Sequence, residues 1–173
     1  MSESTLMVGL RVIHIVFGVF WAGTAMTMAW FLLPASRAMG QPGGAFMQQL
    51  MFKQKLRNYV GIAMALTVLS GLTMYIRLSM ITNGAWAASR MGMVLGVGAV
   101  AAIIAAAIGG VVVGRHGKRL MELGTSVQAT GGPPTDAQRG EMESLQGKIY
   151  SGFRIIAGLL VIAVAAMASA RYL

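Results

Sequence analysis

Residues 91–113 read MGMVLGVGAVAAIIAAAIGGVVV, an unbroken run of 23 residues without a charged, amide or hydroxyl side chain. A hydrocarbon core about 30 Å thick takes roughly 20 helical residues to cross, and backbone inside it must satisfy its own hydrogen bonds. The run therefore reads as a membrane-spanning helix. Three further apolar stretches, at about residues 6–33, 58–80 and 149–170, are long enough to do the same, and none of the four contains Asp or Glu. The whole chain agrees: 56% of residues are hydrophobic, 11% are charged and the mean hydropathy is +0.68. With 173 residues there is room for four spans and little else, so the expected architecture is all-α, an integral membrane antiparallel four-helix bundle. It forms one domain over residues 1–173 with no soluble catalytic module.

The connections follow from breakers and caps. The first span is expected to stop at Pro34, with Gln41-Pro-Gly-Gly as a turn and residues 45–57 as a basic, partly amphipathic lead-in to the second span. Thr82-Asn-Gly-Ala-Trp carries turn residues and an interfacial Trp86, which predicts a tight antiparallel hairpin of the second and third spans. The third helix is expected to run out of the membrane through Arg115, His116, Lys118 and Arg119 to near Gly124. Gly131-Gly-Pro-Pro then breaks the chain, and Thr135 with Gln138 fits a capping box that starts the last helix. Met1-Ser-Glu-Ser lacks the basic start of a secretory signal, so the first span reads as an uncleaved anchor.

The net charge of +9 is a matter of topology and not of nucleic-acid binding, because the fourteen basic residues cluster at span ends. Arg37, Lys53, Lys55, Arg57, Arg115, Lys118, Arg119, Arg139, Lys148 and Arg154 belong to the side of the first and third connections. Arg11, Arg77, Arg90 and Arg171 belong to the other. The positive-inside rule then places both termini outside the cytoplasm, the periplasmic side of a bacterial inner membrane.

An ionisable group inside a span is a functional hypothesis by default. The first span carries Arg11, His14, Gly18 and Trp21 at spacings of three, four and three, one helical face. His116 lies at the opposite end of the bilayer, so the two histidines cannot clamp one group. For His14 the alternatives are a ligand or a hydrogen bond across to Thr67, Ser70 or Thr73. Gly18 would leave room for a flat ring and Trp21 would pack on it. Arg11, Arg77 and Arg90 share a level and would meet anionic propionates, or else serve as interfacial anchors. Met74, Met80, Met91, Met93 and Met167 fall toward the same half, and thioethers suit monovalent copper, although methionine is also a routine apolar filler. Small residues at Gly98, Ala102, Ala106, Gly110 and Gly114, with Gly92 and Gly96, read as a helix-packing stripe. There is no cysteine, no membrane carboxylate for proton-coupled export and no hydrolytic motif.

The opening Arg11-Val-Ile-His-Ile-Val-Phe-Gly-Val-Phe-Trp-Ala-Gly, the Leu69-Ser-Gly-Leu-Thr of the second span and the closing Ala166-Met-Ala-Ser-Ala-Arg-Tyr-Leu resemble four-helix bacterial membrane proteins of the copper-resistance-D group. That group is in turn similar to the haem-binding membrane protoporphyrinogen oxidases. The resemblance implies a periplasm-facing site, with His14 as the family-type histidine and Trp21 and Gly23 as its Trp-x-Gly. No second membrane basic residue matches the oxidase lysine, so oxidase activity is not implied.

The combined expectation is a b-type haem held by His14, with Gly18, Trp21, Arg11, Arg77 and Arg90 around it, in a protein that takes part in or supports membrane electron transfer. One alternative is a copper-handling protein using His14 with Met80, Met91 or Met93. Another is a structural subunit, without cofactor, of a larger membrane complex. The expected partners are the lipid bilayer and either a larger redox complex or a second copy of the chain.

Overall fold

The computed structural model describes residues 3–173; Met1 and Ser2, the head of the stretch read as an anchor, lie outside the described residues. The chain forms α1 (Glu3–Ala38), a short α2 (Gln41–Gln48), α3 (Leu56–Ile81), α4 (Arg90–Thr130) and α5 (Asp136–Tyr172). Among the described residues α1, α3, α4 and α5 are the four helices long and apolar enough to cross a membrane. The fold is the expected all-α bundle of a membrane protein. Its outer surface explains the composition: Val8, Val12, Ile15, Val16 and Val19 are all more than half exposed. An apolar surface that continuous suits lipid and not water.

The core is correspondingly small-residued. Trp21, Ala22 and Ala25 of α1 meet Ala63 of α3, Ala101, Ala102 and Ala105 of α4, and Ile156, Leu160 and Ala163 of α5. In lipid, helices gain little from hiding apolar surface, and close backbone approach supplies the attraction instead. The packing stripe on α4 holds where Gly98 sits: a methyl group there would stand 3.2 Å from the Ala166 Cβ and 3.3 Å from the Ala163 carbonyl. It fails at Gly110, which has open space around it. The reason is the wide π turn Ile108–Val113, which inserts a residue into the helical register and turns Gly109 toward Ile156 and Met64 instead.

Three connections differ from expectation. α1 does not stop at Pro34 but continues to Ala38. The π turn Met28–Leu32, closed by the Leu33 N–H on the Met28 carbonyl, widens the helix ahead of the proline ring, which would otherwise clash with the preceding turn. Gln41-Pro-Gly-Gly is the first turn of α2 and not a loop. Proline is tolerated at a helix start, and the break lies one residue earlier, at Gly40 with φ +63°. The short turn after α3 is formed by Asn83 and Gly84, both at positive φ, yet it does not make a tightly packed hairpin. α3 packs mainly on α1, and α4 mainly on α5.

Beyond the membrane α4 reaches Thr130, past the expected Gly124, and ends at Gly131 in the left-handed region. The capping box forms as expected: the Gln138 N–H donates to Thr135 Oγ1, and the Thr135 N–H donates to Gln138 Oε1. Leu123 and Leu145 are buried between the two projecting segments. Arg119 Nε donates to Glu141 Oε1 at 2.7 Å, a hydrogen bond that raises the guanidinium pKa above its ordinary value.

Candidate histidine and methionine site between helices

His14 is half-buried on the face of α1 that lies against α3. Its Nδ1 is 2.8 Å from the Thr67 carbonyl oxygen. A carbonyl only accepts, so Nδ1 carries the proton and donates. Thr67 and Gly71 are one turn apart on α3, and Gly71 makes the approach possible: a Cβ there would stand 2.7 Å from His14 Cε1 and 2.9 Å from Nδ1. The hydroxyls of Thr67 and Ser70 take care of themselves, donating to the Ala63 and Leu66 carbonyls at 2.7 and 2.5 Å. Thus the expected cross-helix hydrogen bond exists, but its acceptor is backbone.

The second ring nitrogen faces the opposite way, onto α5. His14 Nε2 lies 3.5 Å from the sulfur of Met167. With the proton on Nδ1, a neutral ring presents a lone pair at Nε2 to the lone pairs of the thioether. The two acceptors stand in van der Waals contact, and a proton or a metal ion shared between them would be held by both. Metal–nitrogen bonds of about 2.0 Å and metal–sulfur bonds of about 2.3 Å, the lengths typical of zinc, close a triangle on an edge of 3.5 Å. By separation alone, one ion can bond both atoms. Hydrogen-bonding the far nitrogen of a metal-binding imidazole to a carbonyl is also how such rings are commonly oriented.

The residues expected around a haem do not come together as a slot. The space beside Gly18 belongs to Thr67, whose Cγ2 would be 3.4 Å from an added methyl. Trp21 is 4% exposed and packs into the alanine core, two turns from His14. Arg77 is taken by Glu3, with Nε and Nη2 donating to Oε1 at 3.0 and 2.8 Å. Arg11 and Arg90 are exposed. His14 Nε2 and Met167 Sδ, in contact at 3.5 Å, leave no room for a ring plane between them. The pair of donor atoms is spaced for one shared ion and not for the two faces of a ring.

The methionines expected for copper are placed elsewhere as well. Met80, Met91 and Met93 are 73%, 37% and 55% exposed on the bundle surface, and His14 meets none of them. Met167, one of five methionines at this level of the sequence, is the one that faces the ring. Among the described residues no three His, Asp or Glu side chains converge as hard ligands. His116 stands apart on α4, just past the π turn Ile108–Val113, with its Nδ1 turned to the Val112 carbonyl of its own helix. Comparison with family models, with curated proteins and with solved structures finds no match for this chain.

Proposed function

We propose that this protein binds a soft metal ion, monovalent copper, inside the membrane through His14 Nε2 and Met167 Sδ. The observation that carries the reading is the 3.5 Å approach of an oriented imidazole nitrogen to a thioether, in a set of spans that offers no carboxylate to a harder ion. Thioethers and imidazole together favour a soft ion such as monovalent copper over magnesium or calcium. The role is the copper-handling one implied by the resemblance to the copper-resistance-D group, with Met167 in place of Met80, Met91 and Met93 as the sulfur donor.

The protein's own contributions are positional. Thr67 fixes the tautomer, Gly71 admits the ring, and the contacts of α5 with α1 and α4 hold Met167 at the level of His14. When bound, the ion would supply either a transfer station or a one-electron couple. The excess of basic residues on the side of the first and third connections supports a site in the periplasmic half of a bacterial inner membrane.

Anaerobic titration of detergent-solubilised protein with monovalent copper against a calibrated chelator tests this, beside optical spectra of protein made with ample haem. The expected result is one copper per chain, lost in His14→Ala and weakened in Met167→Leu. A Soret band with a sharp reduced α band that His14→Ala abolishes would replace the copper reading with haem. Protein that takes up neither would leave His14 as a packing hydrogen bond in a structural subunit.

A further inference from the structure

At the end of the bundle away from Glu3 and Leu173, two arginines from different helices converge on one ring. The Arg37 guanidinium, from the last turn of α1, lies 4.4 Å from the centroid of Tyr150 on α5. That of Arg154, one turn further along α5, lies 5.8 Å from the same centroid. Helical side chains lean toward their own N-terminus, so Arg154 reaches back along α5 to Tyr150. Gly147, on the same face one turn earlier, leaves the surface low enough for Arg37 to lie across it, with Nη2 4.0 Å from where a Cβ would stand.

Neither charge is neutralised by the protein. Among the described residues the ion pairs are Arg77 with Glu3, Lys118 with Glu122, Arg119 with Glu141 and Arg139 with Asp136. Glu143, one turn from Gly147, pairs with neither Arg37 nor Arg154. The ring attracts both guanidinium groups but carries no charge, so the pair keeps two positive charges that an anion between or beside them would balance. The level of the cluster says which anion. Tyr150 and Tyr172 are 22 residues apart on α5, about 33 Å of helix, so the two tyrosines mark the two edges of a bilayer about 30 Å thick. With Tyr150 at one such edge, the Arg37 and Arg154 guanidinium groups beside it fall within reach of phosphate headgroups.

We infer that Arg37 and Arg154, gathered at Tyr150, form a site for the phosphate of an anionic phospholipid headgroup. The guanidinium fork suits a phosphate held by two donors, and Tyr150 sets the spacing of the pair. This site stands independently of the metal reading, since it involves neither His14 nor Met167.

Native mass spectrometry of the full chain in neutral detergent tests it, with phosphatidylglycerol, phosphatidylcholine or inorganic phosphate added at matched concentrations. Phosphatidylglycerol should be retained in preference to the other two. Arg37→Gln and Arg154→Gln should each weaken its retention about fivefold, the effect of one basic residue at a headgroup. Tyr150→Leu, which keeps both charges but removes the ring between them, should weaken it too and guards against misfolding of an arginine variant. Arg115→Gln, a basic residue of the same side outside the cluster, should change it less than about twofold. Equal retention of phosphatidylcholine, or an Arg115→Gln loss as large as that of Arg37→Gln, overturns the site. Displacement of the lipid by inorganic phosphate at equal concentration assigns the cradle to a soluble anion and overturns the lipid reading.

Discussion

Gly71→Ala is the sharpest perturbation available at the His14 site, because the structure gives its cost in opposite signs in two backgrounds. The new methyl would stand 2.7 Å from His14 Cε1, against a normal carbon contact of about 3.5 Å. The ring must therefore retreat by most of an ångström. Residue 71 lies beside the Thr67 carbonyl, one turn along α3, so the retreat takes Nδ1 off the acceptor it now meets at 2.8 Å. Overpacking of this kind costs about 1–3 kcal/mol, and the lost hydrogen bond about 0.5–1.5 kcal/mol more. Replacing glycine by alanine in a helix returns about 1 kcal/mol. Net destabilisation should be roughly 0.5–3.5 kcal/mol. With His14→Ala already in place the obstacle is gone, and the same substitution should be neutral or stabilising by up to about 1 kcal/mol. Unfolding in mixed micelles of rising sodium dodecyl sulfate fraction, followed by far-ultraviolet circular dichroism, measures all four corners of the cycle. An equal cost in both backgrounds would show that Gly71 serves some other contact and that His14 is not seated on Thr67.

Other expectations rest on different parts of the fold. Gly98→Val should destabilise by about 1–3 kcal/mol in the same assay because α4 and α5 are in backbone contact there. Gly110→Val, with nothing within 4 Å, should stay within about 0.5 kcal/mol, and an equal cost at the two positions would contradict the register shift of the π turn. Trp21→Ala removes the largest side chain of the alanine core and should cost about 3–5 kcal/mol, seen as a shifted unfolding midpoint. Glu3→Gln breaks an ion pair whose side chains are 58% and 41% exposed, so its effect should be under about 1 kcal/mol and should vanish at high salt.

What the sequence conveys about this fold is mostly one-dimensional. Span number, span position and the capping box at Thr135 are legible because hydropathy and cap chemistry are local. The continuation through Pro34 was not legible: proline carries a strong stop signal, and it is overridden here by a π turn whose residues, Met28 to Leu32, have no distinguishing composition. The same blindness affects the α4 stripe. A period of four is readable from Gly98 to Gly114, but the turn at Ile108–Val113 rotates the second half away from α5, and nothing in a run of small apolar residues announces a change of helical register.

Depth in the membrane and azimuth around the bundle are different quantities, and this distinction decides what could be foreseen of the site. Spacing along a helix fixes depth, so Arg11, Arg77 and Arg90 are legible as sharing a level, and His14 and the methionines Met74, Met80, Met91, Met93 and Met167 as belonging to the same half of the bilayer. Azimuth depends on which helices pair, and that is set by the steric fit of small residues across interfaces that the sequence does not label. Because α1 lies on α3 and α5 touches both α1 and α4, the face of α5 bearing Met167 turns inward, while Met80, Met91 and Met93 turn out to lipid. Gly71 was visible in Leu69-Ser-Gly-Leu-Thr, yet its use was not, since a glycine serves His14 only once α1 and α3 are in contact. The neutralisation of Arg77 by Glu3 has the same origin. A lone acid at the start of α1 finds its cation on α3 because those two helices are partners, and that exposed pairing is weak enough for another anion to compete with it.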